Sequence, residues 1–232
     1  MNEVSFGALG FRRGPSMTDL VSDEIYRRVV ELELPPGAKI SELEVAKQMG
    51  ISRQPVRDAF YRLSQIGLLQ IQPQRATTVS RISEAAVLQA RFIRTALEME
   101  TTRAAALSMT APQLADLGAI IEKQRDAMAR GDRIGFHALD DAFHHWICAC
   151  SGNEFAWSLI RDHKAHMDRV RFLSLSFGTQ SAFDDHLRIL EALQARDPDR
   201  GSEEMRTHLA RIGDILAQIR AERPSIFSGD TA

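Results

Sequence analysis

The sequence predicts a mainly α-helical protein, in which a small helix–turn–helix–hairpin unit precedes an all-helical bundle. Two observations support this division. Between Ser41 and Val79, apolar residues at helical spacing alternate with turn residues and end in two short β-like runs. After Ser83, β signals disappear and every segment up to Arg220 shows helical spacing. With 232 residues, 44% of them hydrophobic and 26% charged, the chain is typical of a folded protein of one or two domains.

A first helix and a capped second helix form the start of this unit. The first helix is expected to begin at Thr18 and to end before the turn at residues 35–37, which reads Pro-Pro-Gly. At the second helix, Ser41 and Glu44 have the spacing of a capping box. Gly50 suits the left-handed residue that ends a helix. These signals place a short helix directly before a tight turn.

A third helix and a hairpin complete the unit. Ser52 is the expected N-cap of the third helix, Pro55 fits its first turn, and Gly67 ends it. Two short strands are expected at residues 68–71 and 77–79. This order of elements is that of a winged helix-turn-helix, in which the second helix of the motif enters the major groove of DNA.

Positive charge is concentrated in this unit, although the whole chain has a net charge of −2. Five arginines and a single acidic residue lie between residues 51 and 81. Arg53 and Arg57 share one helical face, and Gln54 lies beside them. Arginine can pair with guanine and glutamine with adenine, so this face is suited to reading bases. The alternative is an ordinary solvated helix that is rich in arginine.

The stretch PPGAKISELEVAKQMGISRQPVRDAFYRLSQIGLLQIQPQRATTV closely resembles the DNA-binding domain of GntR-type bacterial transcription regulators. The resemblance covers residues 15–80 and rests on Pro-Gly, Ser-Arg-x-Pro-Val-Arg and a wing that begins with Gly-Leu. Two positions depart from the family: Ala76 replaces a frequent glycine at the wing tip, and Leu43 replaces an arginine that contacts DNA in the FadR-like branch. With the motif geometry, the resemblance implies DNA contacts at Ser52, Arg53, Gln54, Arg57, Arg75 and Thr77.

The region after residue 83 is predicted to be a bundle of six to seven helices. Thr110 and Gln113 form a second capping signature, and Asp132 caps the helix after it. The expected helices are 83–108, 110–131, 132–150, 153–177, 181–196 and 202–220. The predicted organisation is a mobile arm (1–15), a winged domain (16–80), a helical domain for metal, effector and dimerisation (83–222) and a tail (223–232).

Four polar residues lie on inward faces of this bundle. Asp140 and His144 are four residues apart and project together from one helix, while His186 and His208 lie on two later helices. One inward histidine is usually a core residue with satisfied hydrogen bonds. Buried polar groups need partners, and a divalent metal would satisfy all four residues at once. A hydrogen-bonded polar core remains the alternative.

The helical region, residues 83–220, also resembles the metal-binding ligand domain of the FadR-like GntR branch. The resemblance implies that Asp140, His144, His186 and His208 are the metal ligands. Imidazole and carboxylate ligands without thiolate suit Zn, Ni, Mn or Fe, of which Zn is the first choice. A metal with one carboxylate ligand keeps a positive charge, which favours an anionic effector such as a small organic acid.

Two arginines are candidates for binding the carboxylate of that effector. Arg94 matches a position where the family often keeps an arginine that faces the cavity, although a surface ion pair is an equal alternative. Arg171, on the long fourth helix of the bundle, is the second candidate.

The expected function is a cytoplasmic, ligand-responsive DNA-binding regulator, more specifically a repressor that binds a palindromic operator as a homodimer. No apolar run is long enough to span a membrane, and no residue is predicted to be catalytic. One competing hypothesis is an enzyme whose histidine and aspartate ligands hold a metal that activates water. Another is a constitutive DNA-binding protein with a structural metal.

Overall fold

The computed structural model of the chain describes residues 14–72 and 75–229. Most of the predicted arm (1–15) and two residues of the predicted hairpin turn lie outside this part of the chain. The elements, in chain order, are α1 (Met17–Val30), β1 (Lys39–Ile40), α2 (Glu42–Met49), α3 (Arg53–Gln65), β2 (Leu69–Gln70), β3 (Thr77–Val79), α4 (Glu84–Ser108), α5 (Ala111–Ala129), α6 (Arg133–Cys150), α7 (Phe155–His163), α8 (Ala165–Ser174), α9 (Thr179–Gln194), α10 (Pro198–Ala210), α11 (Ile212–Glu222) and a 3₁₀ turn (Pro224–Ile226).

The predicted fold class is confirmed, with a winged helix-turn-helix followed by a helical bundle. Helices α1–α3 pack around a small apolar core, and three antiparallel strands lie in the order β1-β3-β2. Lys39 pairs with Thr78, and Leu69 pairs with Val79. Strand β1 was not predicted, because two residues are too few to show the alternation that identifies a strand.

The predicted helix starts at Ser41, Ser52, Thr110 and Asp132 are correct in position, but the side-chain caps expected at Ser41 and Ser52 do not form. Two starts are wrong: α9 begins at Thr179 and α10 at Pro198, ahead of the predicted residues 181 and 202. Ser41 and Ser52 occupy N-cap positions, yet neither side chain makes a capping hydrogen bond within the described chain. Ser41 directly follows β1, whose pairing with β3 sets the direction of the backbone as it enters α2. The capping box of Thr110 and the cap at Asp132 do form, as predicted.

The bundle contains eight helices between residues 83 and 222, all of which are described, instead of six to seven. The predicted helix 153–177 is divided into α7 and α8 at Lys164, and the last predicted helix is divided at Arg211. Both residues place their side chains against carboxylates on other helices: Lys164 contacts Asp141, and Arg211 contacts Asp185. Tertiary ion pairs therefore accompany both interruptions.

Helix α8 lies where the winged domain meets the bundle. Its first residue, Ala165, is buried in the apolar core of the winged domain, and Met167 and Val170 belong to a bundle cluster. That cluster also includes Ile82 and Phe227, so residues of the predicted tail are packed against the domain joint. No helix in the described parts of the chain is both long and apolar enough to cross a membrane.

Candidate metal centre and DNA-reading surface

The four predicted metal ligands converge at one buried point of the bundle. Asp140 and His144 extend from α6, His186 from α9 and His208 from α10, and one potential ligand atom of each lies within 4.8 Å of the others. Nε2 of His208 is 3.3 Å from Nε2 of His144. Nε2 of His186 is 3.6 Å from Oδ1 of Asp140. Helices distant in sequence therefore bring three imidazoles and one carboxylate together.

Each of the three imidazoles has its other nitrogen, Nδ1, next to a buried oxygen acceptor. Glu98 Oε2 is 2.5 Å from Nδ1 of His144, and Gln124 Oε1 is 2.9 Å from Nδ1 of His186. Asp185 Oδ2 is 3.3 Å from Nδ1 of His208. These acceptors favour a proton on Nδ1 and leave the lone pair of every Nε2 directed at the convergence point. Such partners are a regular feature of histidines that bind metals.

Sequence reasoning missed Glu98, Gln124 and Asp185. A signal existed for Glu98, because Val87, Ala90, Arg94 and Glu98 fall on one buried face of α4. A charged pair in the middle of such a face indicates a polar interior. Gln124 and Asp185 had no comparable signal, since each is a polar residue in an amphipathic helix.

The donor set fits a divalent metal that prefers nitrogen and oxygen ligands. Nε2 of His186 is buried and has no hydrogen-bond partner in the described chain, which is costly in a purely hydrogen-bonded core. Burial lowers the pKa of His186 well below its usual range and that of His208 to about 4, so both imidazoles are neutral at pH 7. A neutral imidazole is the form that coordinates a metal.

A cavity of about 240 Å³ adjoins this cluster. Asp140 and His208 form part of its wall, so the cavity opens directly onto the candidate metal centre. Four arginines and two aspartates, Asp140 and Asp214, line the cavity, so its wall carries an excess of positively charged side chains, and apolar side chains line much of the remainder. The arginines are Arg91, Arg94, Arg171 and Arg211, and the apolar residues include Phe136, Met167, Ile212 and Ile215.

Arg94 lines this cavity and is buried, so it does not form the surface ion pair considered above as the alternative. Its Nε donates to Glu98 Oε1 at 2.6 Å, and Nη1 is 3.6 Å from Sδ of Met167. Nη2 has no hydrogen-bond partner among the described residues. Arg94 therefore helps to hold Glu98 beside His144 and retains one free donor group.

Arg171 also lines the cavity and lies among three carboxylates. Its Nη2 contacts Oδ2 of Asp140, a candidate metal ligand. Its Nη1 donates to Oδ1 of Asp141 and to Oδ1 of Asp168, each at 2.9 Å. Burial lowers the pKa of Arg171 to about 9. The guanidinium thus connects the metal ligand to a second buried charge cluster.

The expected DNA-reading residues lie at the exposed start of α3. Arg53 and Arg57 are more than half exposed, and both approach Oε2 of Glu42, at 3.6 Å and 3.4 Å respectively. Gln54 donates to Asp58 at 2.8 Å, and Ser52 keeps its hydroxyl free of a capping bond within the described chain. Glu42, at the start of α2, was not predicted to take part in this surface.

The two predicted wing residues lie beside β3. Arg75 is exposed, and its Nη1 donates to Oε1 of Gln72 at 3.3 Å. Thr77 is the first residue of β3, where it pairs with Ile40 of β1. Both residues therefore lie on the hairpin of the winged domain.

Comparison with protein-family models finds two matches. Residues 18–79 match the model of the bacterial regulatory proteins of the gntR family, and residues 89–211 match the FCD domain. These matches confirm the resemblance drawn from the sequence motifs.

Curated relatives match along almost the whole chain. The chain is 38% identical to the HTH-type transcriptional repressor RspR of Escherichia coli K12 over 217 residues, which are 91% of this chain and 95% of that protein. It is 30% identical to a probable D-xylose utilization operon transcriptional repressor of Paenarthrobacter nicotinovorans over 194 residues, which are 82% and 84% of the two chains.

Two solved structures share the fold. McbR/YncC of E. coli has a TM-score of 0.77 at 23% identity and covers 88% of this chain and 99% of its own. A putative GntR regulator of Rhodococcus sp. RHA1 has a TM-score of 0.73 at 19% identity and covers 86% of this chain and 97% of its own. Both similarities concern the complete arrangement of a winged domain and a helical bundle.

Proposed function

Since the chain belongs to the GntR family of bacterial regulatory proteins and carries an FCD domain, we propose that it is a repressor that binds a palindromic operator as a homodimer and senses a small organic acid at a metal site. The family makes the chain a transcriptional regulator and not an enzyme. Repression is inferred from RspR, which is named a repressor. The observation that carries the sensing role is the convergence of three oriented Nε2 atoms on the edge of a positively charged cavity.

For DNA binding, we assign base contacts to Arg53, Gln54 and Arg57. Their exposure at the first turn of α3 and the matching chemistry of arginine with guanine and glutamine with adenine support this assignment. Ser52, Arg75 and Thr77 are assigned to the DNA backbone, where they fix the position of the protein without reading sequence. Glu42 lies beside Arg53 and Arg57 and partly offsets their positive charge.

The metal is assigned to Asp140, His144, His186 and His208, with Zn as the first choice and Ni, Mn or Fe as alternatives. When bound, the metal supplies a positive centre that attracts a carboxylate. Glu98, Gln124 and Asp185 hold the imidazoles in the required tautomer and orientation. Asp140 and His208 present this centre to the cavity.

The effector is assigned to the cavity, with Arg94 as the principal anchor for its carboxylate and Arg171 as the second. The free Nη2 of Arg94 and the excess of arginine on the cavity wall support a small anion. The volume of about 240 Å³ and the apolar side chains favour a short organic acid over a large polyanion.

Homodimerisation is assigned to an exposed apolar face of two helices that pack on each other, α4 and α7. Phe92 and Phe155 are 75% and 74% exposed, and Leu88 and Leu159 are also exposed. Large exposed apolar side chains on two packed helices support an interaction site, and a palindromic operator requires a second copy of the chain.

The test is a thermal-shift screen of small mono- and dicarboxylates on the full-length protein, with Zn²⁺ and with a chelator. A ligand at about 100 times its Kd should stabilise the protein by about 2.7 kcal/mol, and only with metal present. The same acid should then change the affinity for operator DNA. A constitutive DNA-binding protein would keep its DNA affinity unchanged across the whole panel.

The His186→Ala variant separates sensing from DNA binding. It should lose metal and effector binding and keep its affinity for DNA, because His186 lies in the bundle and the reading residues lie on α3. His163→Ala is the matched control, since His163 is exposed on α7. Full metal content in His186→Ala, measured by elemental analysis, would count against the ligand set.

A further inference from the structure

One buried hydrogen bond ties the first helix of the winged domain to the bundle. The hydroxyl of Tyr26, on α1, donates to Oδ2 of Asp168, on α8, at 2.6 Å. The acceptor is a carboxylate with no exposed surface, so the bond is charge-assisted and shielded from water. It connects residues 142 positions apart in the sequence.

Asp168 also belongs to the charge cluster that reaches the metal site. Lys164 Nζ lies 2.5 Å from Oδ2 of Asp168, and Arg171 Nη1 donates to its Oδ1 at 2.9 Å. The same guanidinium contacts Oδ2 of Asp140. Three successive contacts therefore lead from α1 to a candidate metal ligand: Tyr26 to Asp168, Asp168 to Arg171, and Arg171 to Asp140.

Two other polar contacts at the domain joint do not involve Asp168 or Arg171. Arg169 Nη2 donates to the backbone oxygen of Ser80 at 2.6 Å, and the backbone N–H of Ser83 donates to Nδ1 of His166 at 3.2 Å. These bonds and the apolar core around Ala165 hold the two domains together. Among these polar contacts at the joint, only the hydrogen bond of Tyr26 is made to a residue, Asp168, that is linked to Asp140 through Arg171.

We propose that Arg171 and Asp168 couple occupancy of the metal site to the attachment of α1, through the hydroxyl of Tyr26. This inference rests on the proposed metal site. Arg171 divides its charge among Asp140, Asp141 and Asp168. When Asp140 shares its charge with a bound cation, Arg171 is left to neutralise Asp141 and Asp168. A better neutralised Asp168 is a weaker acceptor for Tyr26, so α1 is held less firmly against the bundle.

The test is hydrogen exchange, followed by mass spectrometry, of the full-length protein with and without Zn²⁺. In the wild type, Zn²⁺ should slow exchange in α6 and α9, which carry three of the four ligands. It should speed exchange in α1 about fivefold, as expected when a charge-assisted hydrogen bond loses roughly half its strength. In Tyr26→Phe, α6 and α9 should still respond, while exchange in α1 should no longer depend on Zn²⁺. The ring is kept in this variant, so the packing of α1 is preserved.

Tyr61→Phe is the matched control, because Tyr61 is 61% exposed on α3 and should leave the response of α1 as in the wild type. The coupling is overturned if Zn²⁺ protects α6 and α9 but leaves exchange in α1 unchanged or slower, or if α1 responds equally in Tyr26→Phe. If the wild-type protein binds no Zn²⁺ and shows no protection of α6 and α9, the result would instead contradict the proposed metal site, and this inference with it.

Discussion

Gln124 fixes the tautomer of His186. Its side-chain Nε2 donates to the backbone oxygen of Leu139 at 3.1 Å, which leaves Oε1 to accept a hydrogen bond from Nδ1 of His186 at 2.9 Å. The proton of the neutral imidazole therefore lies on Nδ1, and the lone pair of Nε2 faces Asp140. A neutral amide achieves this without adding charge to the centre.

We expect Gln124→Leu to lower the affinity for Zn²⁺ by about 10- to 100-fold, because removal of such a partner frees the ring and its tautomer. The measurement is a competition titration against a chelator of known affinity, with the fold of the metal-free variant checked by circular dichroism. Gln89→Leu is the control, since Gln89 is an exposed glutamine on α4. Equal affinity in Gln124→Leu and the wild type would show that His186 needs no such support.

The candidate ligands of this centre could be predicted from the sequence, whereas Gln124 and Asp185, two of the residues that orient the imidazoles, left no comparable signal. Asp140 and His144 are linked by helical spacing, and His186 and His208 interrupt apolar stripes, so each leaves a local trace. Gln124 lies 62 residues from His186 in the sequence, and nothing in α5 reveals which helix it faces. Hydrogen-bond partners on different helices depend on how those helices pack, and the spacing of apolar residues along a single helix does not specify that packing.

Two helix boundaries could not be predicted from the sequence for the same reason, because they depend on how the helices pack. Lys164 and Arg211 both interrupt predicted helices, although lysine and arginine are good helix formers. Each makes an ion pair with a carboxylate on another helix, and such a contact becomes visible only once the bundle is assembled. The order of elements in the winged domain was predictable because glycines and serines mark its turns within a few residues.

Arg57→Ala should weaken operator binding by about 1–3 kcal/mol, the usual cost of losing a base contact by arginine. The affinity is measured by fluorescence anisotropy on a DNA sequence selected by the wild-type protein from a random library. Arg125→Ala is the control, because Arg125 is an exposed arginine on α5 of the bundle, where it pairs with Glu122 and lies over the ring of Phe183. Unchanged operator affinity in Arg57→Ala would contradict the placement of α3 in the major groove.

The domain joint should give the protein a pH-dependent stability below neutrality. Burial, followed by the charge of Arg169, lowers the pKa of His166 from 6.5 to about 4. Between these values the unfolded chain binds a proton that the folded chain does not, so stability is complete above pH 6.5 and falls as the pH approaches 4. The loss from this one residue is at most about 3 kcal/mol.

The contribution of His166 can be isolated by comparison with His166→Asn. Urea unfolding of the metal-free proteins between pH 7 and pH 4 should show a shallower pH dependence in the variant, whatever its stability at pH 7. Other buried histidines are present in both proteins and cancel in the comparison. Identical pH profiles would mean that His166 is protonated as easily in the folded protein as in the unfolded chain.

Among the turn glycines of the winged domain, replacement of Gly67 should cost the most stability, because Gly67 packs against His166 across the domain joint. Gly50 and Gly67 both have left-handed backbones, with φ of 65° and 77°. A Cβ at Gly50 would meet open space, whereas a Cβ at Gly67 would lie 2.8 Å from Nε2 of His166. Gly50→Ala should therefore cost about 1 kcal/mol for the backbone alone, and Gly67→Ala should cost clearly more.

Urea unfolding of both variants measures this difference, and a cycle with His166→Ala assigns it to the contact. In the His166→Ala background the side chain that the new methyl group meets is removed, so the extra cost of Gly67→Ala should disappear while the cost of Gly50→Ala remains. Equal losses for the two alanine variants in the wild-type background would show that the imidazole moves aside without cost. A difference that persisted without His166 would place the strain in the turn itself and not at the joint.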